Sequence, residues 1–327
     1  MKGSLKVRVL KNNDFRTFEQ LCGLTQNGIK KTMSTYLRGK YDKVVETKDY
    51  LYAIGDIPIA LVAHMDTVFS TPAKEVFYDR IKNVIWSPHG LGADDRAGVF
   101  AIIQIIRRGL RPHIILTTDE EMGAVGAGKL SGLPCPFEDL RYLIQLDRRG
   151  SNDCVFYDCV NNDFIEYVEK FGFVESFGSF SDISMLCPAW KIAGVNLSIG
   201  YRDEHSISEV LFVGYMLDTI DKVIRMLQEE NIPQFEYIPN PYANVWYKMV
   251  YNQTDGCHCK KCGKEFAPTD LIDVKASNSY DIVSYCIDCI GGNVEWCSNC
   301  GEPYELPGKD KNLNICEDCW YDFHYNY

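Results

Sequence analysis

Residues 59–66 read "IALVAHMD": an apolar run that stops at His64 and Asp66. A short apolar run bounded by polar residues is the pattern of a buried strand. One His-x-Asp at a strand end is commonplace, but here the event recurs. "HIILTTDEE" (113–121) ends in Glu120 and Glu121, "YLIQLD" (142–147) ends in Asp147, and "GVNLSIGYRDEH" (194–205) reaches His205 shortly after its strand. Between the first two lies "GLGADDRAG" (90–98), which sets Asp94 and Asp95 at the start of a helix, 94–108, that is apolar on most faces and therefore buried.

Working outward, the pattern predicts a strand at 6–10, mostly helix over 14–40, and strands at 43–47 and 50–54. After the helix at 94–108 come a strand at 113–118, a short helix at 125–130, and strands at 142–146 and 154–158. A helix at 162–171, a strand at 194–199 and a long amphipathic helix ending near 229 complete the first part. This alternation predicts an α/β fold, a three-layer sandwich with a mostly parallel central sheet. Ligands of such sheets collect at the C-terminal ends of the strands, where the acids and histidines stand.

A chain of 327 residues accommodates one large domain plus a small module. Its net charge of -11 argues against a nucleic-acid binder that neutralises phosphates and against a polybasic membrane anchor. The start, "MKGSLKVRVLKNNDF", has no apolar core of a secretory signal, and no apolar run approaches the ~18 residues of a membrane span. The expected location is the cytoplasm, where thiols stay reduced. Of 14 cysteines, nine fall between Cys257 and Cys319. That shift in composition predicts a catalytic domain at 1–230, a proline- and aromatic-bearing linker at 231–255 that lies against it, and a cysteine-rich module at 256–327.

Two imidazoles and a group of carboxylates at one sheet edge would repel and hold costly buried charge. Divalent cations remove that cost, and imidazole with carboxylate suits zinc, or cobalt or manganese. In this order the segments "HMDT" (64–67), "GLGADDRAG", "TTDEEMGAVGA" (117–127), "QLDRRG" (145–150) and "GYRDEHS" (200–206) resemble the co-catalytic di-zinc exopeptidases, a group that includes zinc aminopeptidases, peptidase T and carboxypeptidase G types. The resemblance spans about 55–230. It implies that His64 and Asp147 bind one zinc, that Glu121 and His205 bind the other, and that Asp94 bridges both. Asp66 would orient the His64 ring, and Glu120 would be the general base. Asp95 reads as structural.

Tyr201 would either hydrogen-bond a developing oxyanion or pack. Arg96, Arg148, Arg149 and Arg202 are each candidates for a substrate carboxylate or for a salt bridge. Ser181 and Asp182 close a Gly/Phe/Ser-rich stretch read as a substrate loop. The carboxypeptidase G and peptidase T types insert a lid or dimerisation domain after the ligand matching Asp147. Here only 57 residues, 148–204, precede His205. No inserted domain fits, and the arrangement is closer to the single-domain aminopeptidases.

The tail holds four Cys-x-x-Cys pairs: Cys259/Cys262, Cys286/Cys289, Cys297/Cys300 and Cys316/Cys319. Taken in sequence, they make two four-cysteine zinc-ribbon sites, each suited to closed tetrahedral zinc; interleaved pairing stays open. From 256 to 327 there are six lysines, no arginine and twelve acids, so the tail is net -6 before thiolates are counted. That charge favours protein docking, substrate gating or stabilisation over nucleic-acid binding.

The leading expectation is a zinc-dependent, aminopeptidase-type hydrolase of short peptides, acting through a metal-bridging hydroxide with Glu120 as base. It would hold two catalytic and two structural zincs, with a protein partner for the tail and no membrane. Two alternatives stand beside it: a deacylase or amidase acting on another small amide, and a catalytically silent adaptor that docks through its ribbons.

Overall fold

The computed structural model describes residues 8–178, 180–241, 257–266, 271–276, 282–297 and 303–306. They divide into two compact units, Met1–Asn240 and Pro241–Tyr327. In the first unit the elements are α1 (Asn12–Cys22), α2 (Gln26–Arg38), β1 (Lys43–Glu46), β2 (Tyr50–Ile54), β3 (Ile57–His64), β4 (Phe77–Asp79), β5 (Val84–Trp86), α3 (Ala93–Arg107), β6 (Pro112–Thr117) and α4 (Val125–Ser131). They continue with β7 (Tyr142–Arg148), β8 (Asp153–Val155), α5 (Asn162–Glu169), β9 (Val174–Glu175), α6 (Asp182–Trp190), β10 (Gly194–Ser198), β11 (Tyr201–Arg202), β12 (Val210–Phe212) and α7 (Val213–Leu227).

An eight-stranded sheet runs β1-β2-β6-β3-β7-β10-β8-β9. Its centre is parallel: β3 pairs with β6 and β7, and β10 with β7. These strands are buried on both faces, as near-continuous apolar runs require. Leu61, Ala63, Ile114 and Leu116 point into a core filled by α1, α2, α3, α5 and α7. Ala60, Val62, Ile115 and Leu143 point the other way, into a core with α4 and α6. Those two cores make the three layers. In α3 every residue except Gln104 and Arg107 is buried. It lies close on the sheet because residue 98 is glycine: a Cβ there would stand 2.4 Å from the Leu146 carbonyl oxygen.

Three features depart from the expectations. Residues 8–10 form no strand. A second, antiparallel sheet, β11-β12-β5-β4, was not foreseen; its strands are two or three residues long, too short to show a period. The first unit also runs on to Asn240, because 235–239 lie along its edge. There the Ala193 amide donates to the Phe235 carbonyl at 3.0 Å, and Ile192 and Cys159 bridge Glu236 and Pro239.

In the second unit, a hairpin of Cys257–His258 and Glu265–Phe266 stands beside a four-stranded sheet. That sheet is built from Leu271–Lys275, Ile282–Cys286, Val294–Trp296 and Pro303–Glu305. Its small core holds Cys259, Val274, Tyr285, Cys286 and Val294. Among the described residues no helix is long and apolar enough to cross a membrane.

Candidate metal centre

Four neighbouring parallel strands, in the order β6-β3-β7-β10, each deliver polar groups from their C-terminal ends. His64 closes β3 and Asp147 lies near the end of β7. Glu120 and Glu121 follow β6 on a turn entered through Asp119 at φ +55°, and His205 follows β10 at φ +61°. Left-handed backbone at non-glycine residues costs of order 1–3 kcal/mol each and is found where side-chain aim matters more than local comfort.

Asp94 comes from the N-terminal end of α3. It and Asp95 are not helical; the helix proper starts after them. Asp95 is its cap, with Oδ1 accepting from the Gly98 amide at 2.8 Å and Oδ2 from the His64 amide at 3.2 Å. Such a cap contributes about 0.5–2 kcal/mol. Asp95 is thus tied to backbone, and Asp94 is left facing the cluster.

The cluster has two lobes that meet at Asp94. Oδ1 of Asp94 is 2.9 Å from His64 Nε2, which is also 3.4 Å from Asp147 Oδ1. Oδ2 of Asp94 is 3.3 Å from His205 Nε2, which is also 3.0 Å from Glu121 Oε2. Within each lobe, His64/Asp94/Asp147 and Asp94/Glu121/His205, the donor atoms lie within 4.8 Å of one another, close enough to hold a metal ion. His64 is 1% exposed, and its Nδ1 meets Asp66 Oδ1 at 3.2 Å. The other Asp66 oxygen accepts from the Glu121 amide at 3.0 Å. Oxygen-and-imidazole donors in two lobes with one shared carboxylate fit a pair of divalent cations. Glu121 Oε1, buried and without a partner, adds a free donor to that set.

Burial and mutual charge shift the protons of this donor set strongly. Burial and the Asp94 charge push Asp147 up to about 6. Burial, together with Asp147, Asp182 and Asp94 and against the opposing pull of His64, pushes Glu120 up to about 9. Hydrogen bonds to Asp94 and Glu121 lift His205 to about 10. The imidazolium protons stand where metal charge would go.

Sequence reasoning missed the support beneath the cluster. Glu209, 1% exposed, accepts from the Gly92 amide at 2.6 Å and the Asp94 amide at 2.9 Å, so it fixes the backbone that carries Asp94. Gly92 sits at φ +67°, which only glycine adopts freely. Ser181 and Asp182, which close the Gly/Phe/Ser-rich stretch, are themselves buried at the start of α6. The Ser181 hydroxyl donates to Asp147 Oδ2 at 2.9 Å, and Asp182 accepts from Thr117 at 2.6 Å.

The Tyr201 hydroxyl, a candidate oxyanion donor, is hydrogen-bonded to Asp147 Oδ1 at 3.1 Å. Arg96 is buried and clamps backbone, donating to the Met65 and Asp66 carbonyls at 2.8 Å. Arg149 pairs with Glu204 at 3.1 Å, and Arg202 lies over the Phe212 ring at 5.5 Å. Two clefts of about 440 Å³ each flank the cluster. One is lined by Asp66, Glu121, Val68, Phe69 and Met122. The other is lined by Asp147, Arg148, Tyr157, Phe177 and Glu204.

In the second unit Cys259, Cys262, Cys286 and Cys289 bring their sulfurs within 4.8 Å of one another, and none of the four is in a disulfide. The 4.0 Å between the Cys262 and Cys286 sulfurs is near the edge of a tetrahedron built on Zn–S bonds of about 2.3 Å. Burial raises the Cys259 thiol, but backbone N–H groups of Cys262, Cys286 and Lys261 outweigh it and bring the thiol down to about 6. Cys297 is buried; Cys300, Cys316 and Cys319 lie outside the described residues.

No family model matches the chain, and no curated protein matches it. Solved structures do. Aminopeptidase PepT from Bacillus cereus matches with a TM-score of 0.52 at 16% identity, over 66% of this chain and 97% of that one. A tripeptidase from Staphylococcus aureus matches with a TM-score of 0.54 at 15% identity, over 67% and 98%. The TET aminopeptidase from a marine-sediment Thaumarchaeota archaeon matches with a TM-score of 0.54 at 14% identity, over 68% and 98%. The chain shares their fold.

Proposed function

We propose that this protein is a metal-dependent exopeptidase of the aminopeptidase type that hydrolyses short peptides. The carrying observation is Asp94, which turns one oxygen to His64 and the other to His205. The shared fold with solved aminopeptidases and a tripeptidase supports the reading. In it, His64 and Asp147 would hold one divalent cation and Glu121 and His205 the other, with Asp94 available to both. Zinc is the expected metal, with cobalt or manganese able to take its place. Cations so held would supply Lewis-acid polarisation of the scissile carbonyl and of water.

The chain's own groups do the rest. Glu120 accepts the proton of the attacking water at its carboxylate and returns it to the departing amine nitrogen. Asp66 holds the His64 ring through Nδ1, and Tyr201, Ser181 and Gln145 hold Asp147. The two clefts leave room for a side chain on each side of the scissile bond. In the same reading the four thiols of Cys259, Cys262, Cys286 and Cys289 take a structural zinc, and Cys297, Cys300, Cys316 and Cys319 a second.

The direct test is hydrolysis by the metal-loaded chain of a panel of di- and tripeptides beside N-acyl amino acids. Cleavage from the amino end sustains the proposal; turnover of N-acyl amino acids alone would replace it with a deacylase. Asp66→Asn is expected to lower metal affinity or activity by about 10–100-fold, the range for partners that orient a ligand; unchanged metal retention in dialysis would contradict that role. Cys286→Ser is expected to lower zinc content by about one per chain and to speed amide exchange across 282–286; unchanged zinc by elemental analysis would remove the tail site. Because His205 and Glu120 are protonated at neutral pH when no cation competes, cation uptake releases protons and tightens as pH rises. Calorimetry in buffers of different ionisation enthalpy reads that release directly, and a buffer-independent heat would contradict it.

A further inference from the structure

The cleft beside Asp147 contains an arginine that forms no ion pair among the described residues, although Asp147 and Glu204 line the same cleft. Arg148 is the last residue of β7, next in the chain to Asp147. Its Nη2 donates to the Ser176 hydroxyl at 3.0 Å and to the Phe177 carbonyl at 2.7 Å. Its Nε is buried without a partner. Among the described residues no carboxylate forms an ion pair with it. Its neighbour Arg149 is neutralised by Glu204, and the Asp147 oxygens are engaged by His64, Gln145, Ser181 and Tyr201. Glycine at 178 keeps the guanidinium open, since a Cβ there would stand 3.3 Å from Arg148 Nη1 and 3.3 Å from the Tyr157 ring. Phe177, 97% exposed, and Phe180, 45% exposed, are further lining residues of the same cleft and supply apolar surface.

A partly desolvated guanidinium with no carboxylate partner among the described residues gains from an anion at Nη1, the donor left over once Nη2 is engaged by Ser176 and Phe177 and Nε is buried. We infer that the Arg148 cleft is a carboxylate subsite, which fixes one end of the substrate by its acid group. This rests on the peptidase reading only for calling the bound molecule a peptide. A substrate carboxylate has two sources: the C-terminus of a short peptide, or an acidic side chain on its first residue.

The test is calorimetric binding to the metal-loaded full chain carrying E120Q, with two matched pairs as probes. Ala-Ala against Ala-Ala amide reports the C-terminal carboxylate, and Glu-Ala amide against Gln-Ala amide reports the acidic side chain. In at least one pair the carboxylate member is expected to bind about tenfold tighter, a preference that shrinks with added salt. Adding R148Q is expected to bring the ratio within that pair close to unity, and R148K to restore part of it. A ratio near unity in both pairs, or one that survives R148Q, overturns the subsite. Turnover by the chain with intact Glu120 judges the peptidase reading separately. Carboxylate preference without cleavage would retain the subsite and remove the peptidase, whereas cleavage without preference would do the reverse.

Discussion

Glu120→Gln is expected to keep both cations and lose most turnover, on the order of a hundredfold or more in kcat. The reason lies in where Glu120 stands. It follows β6 immediately before Glu121, yet it forms no part of either donor lobe. Its carboxyl, raised to about 9 by burial and by the surrounding acids, is in an environment that favours the protonated form. Cations in the two lobes offset the anionic neighbours and lower that proton affinity towards the working range of a base. Glutamine preserves shape, but its amide is not basic and cannot take up the water's proton, so turnover falls while substrate affinity and metal content are expected to stay near those of the unaltered chain. Elemental analysis and steady-state kinetics together check this. Unchanged kcat with full metal content would remove Glu120 from the mechanism, while loss of metal would make it a ligand.

Asp94→Asn carries the second large expected effect, and it differs in kind. Asp94 is the one carboxylate common to both lobes, 2.9 Å from His64 Nε2 through one oxygen and 3.3 Å from His205 Nε2 through the other. An amide offers a single weak oxygen donor on one side and a donor N–H on the other, so one lobe loses a ligand and gains a repulsive contact. Metal affinity is expected to fall by more than about a hundredfold, beyond the range seen when only an orienting partner is removed. Activity falls with it and returns in part at high metal concentration. The effect on folding is expected to be small, because α3 is anchored by its apolar faces and by Asp95, not by Asp94. Titration of the metal-free variant with zinc, set beside thermal unfolding, separates the two. Unaltered affinity would mean that the lobes do not share this residue.

The five residues of the two lobes were legible in the sequence because their signal is positional. Each follows an apolar strand or opens a buried helix, and a parallel sheet places all strand ends of one polarity on one edge. His64, Glu121, Asp147 and His205 therefore had to approach one another if the strands were parallel neighbours. Glu209 carried no such mark. It stands after "HSIS", where an acid reads as solvated loop, and only the fold turns its carboxylate onto the Gly92 and Asp94 amides. Ser181 and Asp182 carry no such mark either: small polar residues after "FGSF" look like a surface loop until α6 tucks them against Asp147. Of the arginines, Arg149 forms an ion pair with Glu204 and Arg148 forms none among the described residues, a distinction that adjacent identical residues cannot express.

What the sequence determined by itself was the layering, the parallel centre, the polar ends of the strands and the split between an α/β unit and a cysteine-rich one. Those follow from local periodicity and composition, which act within a few residues of chain. What only the tertiary structure decided was the division of labour. It made Asp95 a cap and left Asp94 between two imidazoles, it engaged Tyr201 with Asp147, and it gave Arg148 no carboxylate partner among the described residues. Such roles depend on distances of a few ångströms between residues far apart in sequence, and hydrogen bonds and ion pairs of that length are set by packing, which no local pattern records.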